Sequence, residues 1–329
     1  SNIKVLHDGF NYGMNLQHMT PNFIVHPAEI EKGIYRNISG NVATAWGFLA
    51  ASEKSGRPLF LGSYPITPAT EILSALSERK DLGVKTFQAE DEIAGITSAI
   101  GASFAGNLAI TTTSGPGLAL KSEAIGLAVM AEVPLVIVNV QRGGPSTGLP
   151  TKTEQSDLLQ ALYGRNGESP AVVIAASTPS DCFNYAFIAS KIALERMVPV
   201  ILLTDGFLGN GSEPWRIPSM AELPEIKPRF AQNPDTFKAY ARDPETLARE
   251  WAIPGTPGFE HRIGGLEKNV AGNVSHDPDN HQVNSEIREA KVQQIVDMVP
   301  DLEVYGDEEG DVLLVGWGGT YGHMISAAR

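Results

Sequence analysis

The sequence predicts a doubly wound α/β fold, a parallel sheet with helices on both faces. Three observations point to it. Strand-sized apolar runs alternate with helix-sized segments six times along the chain. Runs such as LVIVNV are apolar almost throughout, the pattern of a strand buried on both faces. No short turn signal joins one run to the next, so crossovers are expected rather than hairpins.

The elements follow in order. Residues 41–52 (NVATAWGFLAAS) are alanine-rich and read as a helix. PLFLGSYP (58–65) is a strand ending in a turn. ATEILSALSERK (69–80) places Ile72, Leu73 and Leu76 at helical spacing. Strand VKTFQA (84–89) leads into a small-residue helix over 90–106, then strand LAITTT (108–113) and a helix over 118–132. PLVIVNV (134–140) is a strand, followed by a loop and the helix EQSDLLQALYG. Strand AVVIAA (171–176), helix 180–196 and strand PVILLTDG (199–206) complete the alternation.

The flanks read differently. Residues 1–34 carry scattered Gly and Pro and read as an irregular lead-in. The α/β domain covers 35–220. Residues 221–310 are rich in Pro, Gly and polar residues and read as an irregular excursion with one helix near 284–299. DVLLVGWGGTYGHMISAAR (311–329) has the look of a strand, turn and helix opening a second α/β domain.

Composition excludes several classes. With 25 basic and 38 acidic residues, the formal net charge is −13, which argues against nucleic acid or an anionic membrane surface as partner. One cysteine, Cys182, allows no internal disulfide and cannot supply the four thiolates of an iron–sulfur cluster. No apolar run reaches the ~18–20 residues of a membrane helix, and no signal-peptide pattern is present, so the expected compartment is the cytoplasm. The seven histidines show no metal-ligand spacing, and G-x-S-x-G is absent.

Four places at carboxyl ends of the expected parallel strands could carry chemistry, because ligands bind at that edge of such sheets. Thr67, in SYPITPATEI, either caps the following helix or offers a rigidly held hydroxyl to a substrate oxygen. Glu90, with Asp91 and Glu92, either complements a helix dipole or lies beside a ligand. TTTSGPGLALKSE bares backbone N–H groups at Ser114, Gly115 and Gly117, either as a plain strand–helix turn or as an approach for an anion or a cofactor ring. Arg142, in QRGGPSTG, follows a buried strand directly and is either a solvent-facing loop arginine or a guanidinium suited to a planar carboxylate. GWGGTYG (316–322) lacks the spacing of a dinucleotide-binding turn.

Taken together, these segments resemble a known family. AEDEIAGITSAIGASFAGNLAITTTSGPGLAL resembles the pyrimidine-binding domain of thiamine-diphosphate enzymes. SYPITPATEI, VNVQRGGPSTGLPTKTEQSDL and TDGFLG narrow the resemblance to the α subunit of 2-oxoacid:ferredoxin oxidoreductases, nearest the 2-oxoglutarate type. The lead-in resembles the tail of a γ domain fused ahead of α.

The resemblance implies oxidative decarboxylation of a 2-oxoacid to its acyl-CoA. It implies that Thr67 contacts the 2-oxoacid, that Arg142 binds its carboxylate, and that Glu90 hydrogen-bonds the cofactor's N1′. An acid there favours the imino tautomer, whose 4′ nitrogen removes the thiazolium C2 proton. Ser114, Gly115 and Gly117 would hold the cofactor. The family's GDG diphosphate motif and its cluster cysteines are absent here, so a β subunit would bring the Mg²⁺ and [4Fe–4S] sites. Coenzyme A and ferredoxin would take the acyl group and the electrons, and the assembly would be a dimer of heterodimers. Two other readings compete: a scaffold subunit that kept only the fold, and a different thiamine-diphosphate lyase.

Overall fold

A computed structural model describes residues 1–16, 26–307 and 309–329. The chain divides into two compact units, Ser1–Ile34 and Tyr35–Arg329.

The first unit contains helix α1 (Asn2–Leu16), where the sequence reading expected irregular chain. Ile3, Leu6, Phe10 and Met14 recur at helical spacing, and Gly9 and Gly13 interrupt that stripe only on paper.

The second unit runs β1 (Tyr35–Ser39), α2 (Gly40–Ser55), β2 (Leu59–Ser63), α3 (Thr70–Ser77), β3 (Lys85–Gln88) and α4 (Glu92–Phe104). It continues with β4 (Leu108–Thr113), α5 (Gly115–Leu120), α6 (Ser122–Ala131), β5 (Leu135–Gln141), α7 (Leu158–Tyr163) and β6 (Val172–Ala175). Then follow α8 (Asp181–Arg196), β7 (Pro199–Asp205), α9 (Gly206–Asn210), β8 (Ser212–Arg216), α10 (Pro278–Gln293) and α11 (Tyr321–Ala328).

All six strands expected within the α/β domain form, in the order β3-β2-β4-β5-β7-β6, and every pairing is parallel. Side-chain alternation explains why both faces are covered. In β5, Val136, Val138 and Val140 join the core beneath α2 and α8, while Leu135 and Ile137 join the core beneath α4 and α6. In β7, Val200 and Leu202 face the first core, and Ile201 and Leu203 the second. The chain leaves β2 for β3 on one side and returns to β4 on the other. That reversal opens a crevice at the carboxyl edge.

Three differences from the sequence reading have physical reasons. β1 and β8 form a separate antiparallel pair that no local pattern announces, because its two strands are far apart in the chain. The late helix starts earlier than expected, at Pro278, where Asp277 caps it by accepting from the Asp279 N–H at 3.0 Å. The strand expected near 311–316 does not form. Val312 to Val315 find no pairing partner and stay exposed, although α11 follows as expected.

The excursion is anchored through Glu132, at the amino-terminal side of β5. Its buried carboxylate accepts from Arg242 Nε at 2.9 Å and from Lys291 Nζ at 2.5 Å, and its carbonyl accepts from Arg249 Nε at 3.0 Å.

Candidate functional site

Each sequence-flagged residue lies just beyond a strand's carboxyl end. Thr67 follows β2, Glu90 follows β3, Ser114 to Gly117 follow β4, and Arg142 follows β5 without a gap. Thr67 does not cap α3; Ala69 holds that position, which leaves Thr67 exposed on the turn. Asn41 of α2 braces the turn by donating to the Pro68 carbonyl at 2.9 Å.

Arg142 is 6% exposed. Its Nη1 donates to the Thr67 carbonyl at 2.7 Å and its Nη2 to the Thr147 carbonyl at 2.8 Å, while Nε is buried without a partner. A solvent-facing loop arginine is therefore not what the fold contains. The guanidinium clamps two loops and keeps its Nε–H uncommitted. A buried cationic donor in that state is costly unless a ligand or water meets it.

The second group surrounds the glycine turn. A Cβ added at Gly117 would strike Thr113 Oγ1 and lie 2.7 Å from Glu92 Cγ, so only glycine lets α4 and the turn approach this closely. Glu92 is half-buried against that turn, whereas Glu90 is exposed. Asp91, between them, is committed to the helix: its side chain accepts from the Ala94 N–H at 2.7 Å. On the other side of the turn, Asp157 accepts from Asn139 Nδ2 at 2.9 Å, and burial raises its carboxyl above the ordinary range. Ser114 Oγ and Asn139 Oδ1 are buried with no partner.

The structure joins Thr67 to Arg142 by a hydrogen bond and packs Glu92 against the glycine turn. Both groups sit on the same sheet edge, through adjacent strands β2, β4 and β5. Ser63 ties the first two by donating to the Thr112 carbonyl at 2.9 Å.

Several polar residues escaped the sequence reading. Asn139 and Gln141 interrupt the apolar run of β5 at a spacing of two, a legible sign of one polar patch on a buried strand. Gln141 accepts from the Asp157 N–H at 3.1 Å and donates to the Thr204 carbonyl at 3.0 Å. The 316–322 segment docks at this same edge: Gln155 donates to the Trp317 carbonyl at 3.0 Å, and Gly318 and Gly319 are buried.

The residues fit the ring end of thiamine diphosphate. A glycine cradle, a half-buried carboxyl and two orphaned polar atoms converge there. Among the described residues, no group of three or more His, Cys, Asp or Glu is arranged to hold a metal ion. Nor is any described helix long and apolar enough to cross a membrane.

Comparison with known proteins gives a consistent result. Residues 52–277 match the family model for the thiamine-diphosphate-binding domain of pyruvate flavodoxin/ferredoxin oxidoreductases. The KorA subunit of 2-oxoglutarate oxidoreductase from Mycobacterium tuberculosis is 55% identical over 100% of this chain and 50% of its own length. The α subunit of 2-oxoacid:ferredoxin oxidoreductase 1 from Aeropyrum pernix is 36% identical over 89% of this chain and 47% of its own. A solved 2-oxoglutarate:ferredoxin oxidoreductase from Magnetococcus marinus, with 2-oxoglutarate, coenzyme A and succinyl-CoA bound, has a TM-score of 0.90 at 36% identity. That match covers 99% of this chain and 56% of the other. The chain thus spans about half the length of the relatives it matches.

Proposed function

The chain belongs to the thiamine-diphosphate-binding family of pyruvate flavodoxin/ferredoxin oxidoreductases, and we propose that it forms the substrate-and-pyrimidine side of a 2-oxoglutarate:ferredoxin oxidoreductase active site. The observation that carries this reading is Arg142. It is buried at the sheet's ligand-binding edge, locked to the Thr67 turn, with Nε left over.

A 2-oxoacid carries its carboxylate next to the keto carbon. A guanidinium holds such a group by directed, charge-assisted hydrogen bonds. Arg142 offers Nε and its remaining Nη hydrogens to that carboxylate. Thr67, exposed on the turn that Arg142 braces, offers its hydroxyl to the neighbouring keto oxygen.

Thiamine diphosphate, when bound, supplies the electron sink for decarboxylation. Ser114, Gly115 and Gly117 form its cradle in this chain, and a carboxyl from the 90–92 turn holds a proton against its N1′. The family resemblance favoured Glu90; burial against Gly117 favours Glu92, and we assign the role to Glu92.

The diphosphate, Mg²⁺ and [4Fe–4S] sites belong, in this reading, to a β subunit. Coenzyme A takes the acyl group, ferredoxin takes the electrons, and the assembly is a dimer of heterodimers in the cytoplasm.

The test is turnover of the complex, reconstituted with its partner subunit, across a panel of 2-oxoacids while following acceptor reduction. 2-Oxoglutarate should give the highest kcat/KM. A complex that reduces no acceptor with any 2-oxoacid would favour the scaffold reading.

A further inference from the structure

Lys121 lies at the break between α5 and α6, and its residue surface is 0% exposed. Its ammonium donates to the carbonyl oxygen of Glu92 at 2.6 Å. Glu92 is the first helical residue of α4, so a buried cation sits beneath a helix amino terminus. That position is unfavourable twice over. Burial penalises the charge, and the positive end of the helix dipole repels it. Burial pushes the ammonium down to about 8, against the pull of the Glu92 and Asp91 carboxylates, the charged groups that act on it. A methionine or leucine would fill the same space without either cost. What the ammonium alone supplies is a fixed point on the Glu92 backbone.

We propose that Lys121 is a positioning residue: its buried ammonium pins the first turn of α4 and so holds the Glu92 side chain over the Gly117 turn. This rests on the assignment of the N1′-facing acid to Glu92. The clamp is strongest while Lys121 is charged and weakens when it loses its proton, because a neutral amine donates a weaker hydrogen bond than an ammonium, so function should weaken above about pH 8.

The experiment uses the assembled complex, with two measurements from pH 6 to pH 10. One is hydrogen–deuterium exchange of backbone amides in a peptide spanning 89–100, without cofactor and corrected for intrinsic exchange. The other is hydrogen–deuterium exchange at C2 of bound thiamine diphosphate. In the parent, amide protection should fall and C2 exchange should slow above about pH 8. Lys121→Arg, which stays charged, should abolish that alkaline limb. Lys121→Met should show the unclamped state at every pH, with C2 exchange slowed on the order of 10²-fold, the cost of a small misplacement of a reacting group.

An alkaline limb that persists in Lys121→Arg, or a parent with no such limb, overturns the proposal. So does C2 exchange at the parent's rate in Lys121→Met. The parent's own limb needs no variant, so poor folding of Lys121→Met leaves the test intact. If Glu92→Gln exchanges C2 normally, the acid assignment fails instead, while the amide measurement still reports whether Lys121 clamps α4.

Discussion

Replacing Arg142 by lysine tests the substrate reading most directly. The guanidinium makes two hydrogen bonds to carbonyls of separate loops, at 2.7 Å to Thr67 and 2.8 Å to Thr147, and keeps Nε uncommitted. A lysine ammonium is a single point and lacks the planar fork. It can meet one carbonyl, but it cannot span both and also present a paired face to a carboxylate. A hydrogen bond to a charged partner contributes roughly 1.5–3 kcal/mol. Losing the fork to the substrate should therefore lower kcat/KM by about tenfold to a hundredfold. Losing one loop clamp should destabilise the protein by about the same 1.5–3 kcal/mol. The assay is steady-state kcat/KM with 2-oxoglutarate in the assembled complex, beside a thermal melt and a calorimetric titration with thiamine diphosphate. Cofactor affinity should not change, since none of the groups cradling the ring is touched. A lower melting temperature with unchanged kcat/KM would refute the substrate role and leave Arg142 as a brace alone. If neither changes, the clamp itself carries no energy and the reasoning fails at its first step.

Other substitutions probe the remaining parts. Glu92→Gln should slow C2 exchange by ~10²–10⁴-fold, the usual contribution of a general acid–base group, while Glu90→Gln should change it little; the reverse outcome would return the role to Glu90. Gly117→Ala should both lower the melting temperature and slow C2 exchange, because its methyl group meets Thr113 Oγ1 and Glu92 Cγ. The isolated chain should bind thiamine diphosphate with Mg²⁺ weakly by calorimetry, and micromolar affinity would place the diphosphate site here. Burial alone would raise the Glu132 carboxyl, but Lys291 and Arg242 outweigh it and hold it at about 2. Its folded value lies below its unfolded one, so its stabilisation is complete above about pH 4.5 and is lost as pH falls towards 2. Glu132→Gln should flatten that acid limb and cost about 3–5 kcal/mol at neutral pH, because buried cations lose their counter-charge; denaturant melts across pH check both.

The sheet was legible because its strands are buried on both faces, and LVIVNVQ can be little else in a soluble α/β chain. β1 was not, because YRNIS gains its strand character only from pairing with SEPWR far along the chain. The converse holds for VLLV at 312–315, where an apolar pattern without a neighbouring edge yields no strand. At the site, position was legible and burial was not. Arg142 could be placed at a strand end, but its burial depends on a carbonyl 75 residues away. The choice between Glu90 and Glu92 turns on where α4 begins. Asp91 sets that by capping, a signal present in the sequence as an acid three residues before the Ala94 amide it binds. Lys121 was visible as a lone cation in a small-residue segment, yet only the fold shows that it turns inward.

The Arg142 clamp has an evolutionary consequence. Its two recorded partners are main-chain oxygens, which every amino acid provides. Substitutions at 147, or elsewhere along the exposed 144–150 loop, therefore leave the acceptors of the brace in place while altering the side chains that the loop presents. On the proposed role of Arg142, grip on the carboxylate shared by all 2-oxoacids is thereby independent of which side chains that loop carries. A brace so arranged tolerates single mutations all along the loop, each intermediate keeping the guanidinium held in the same place.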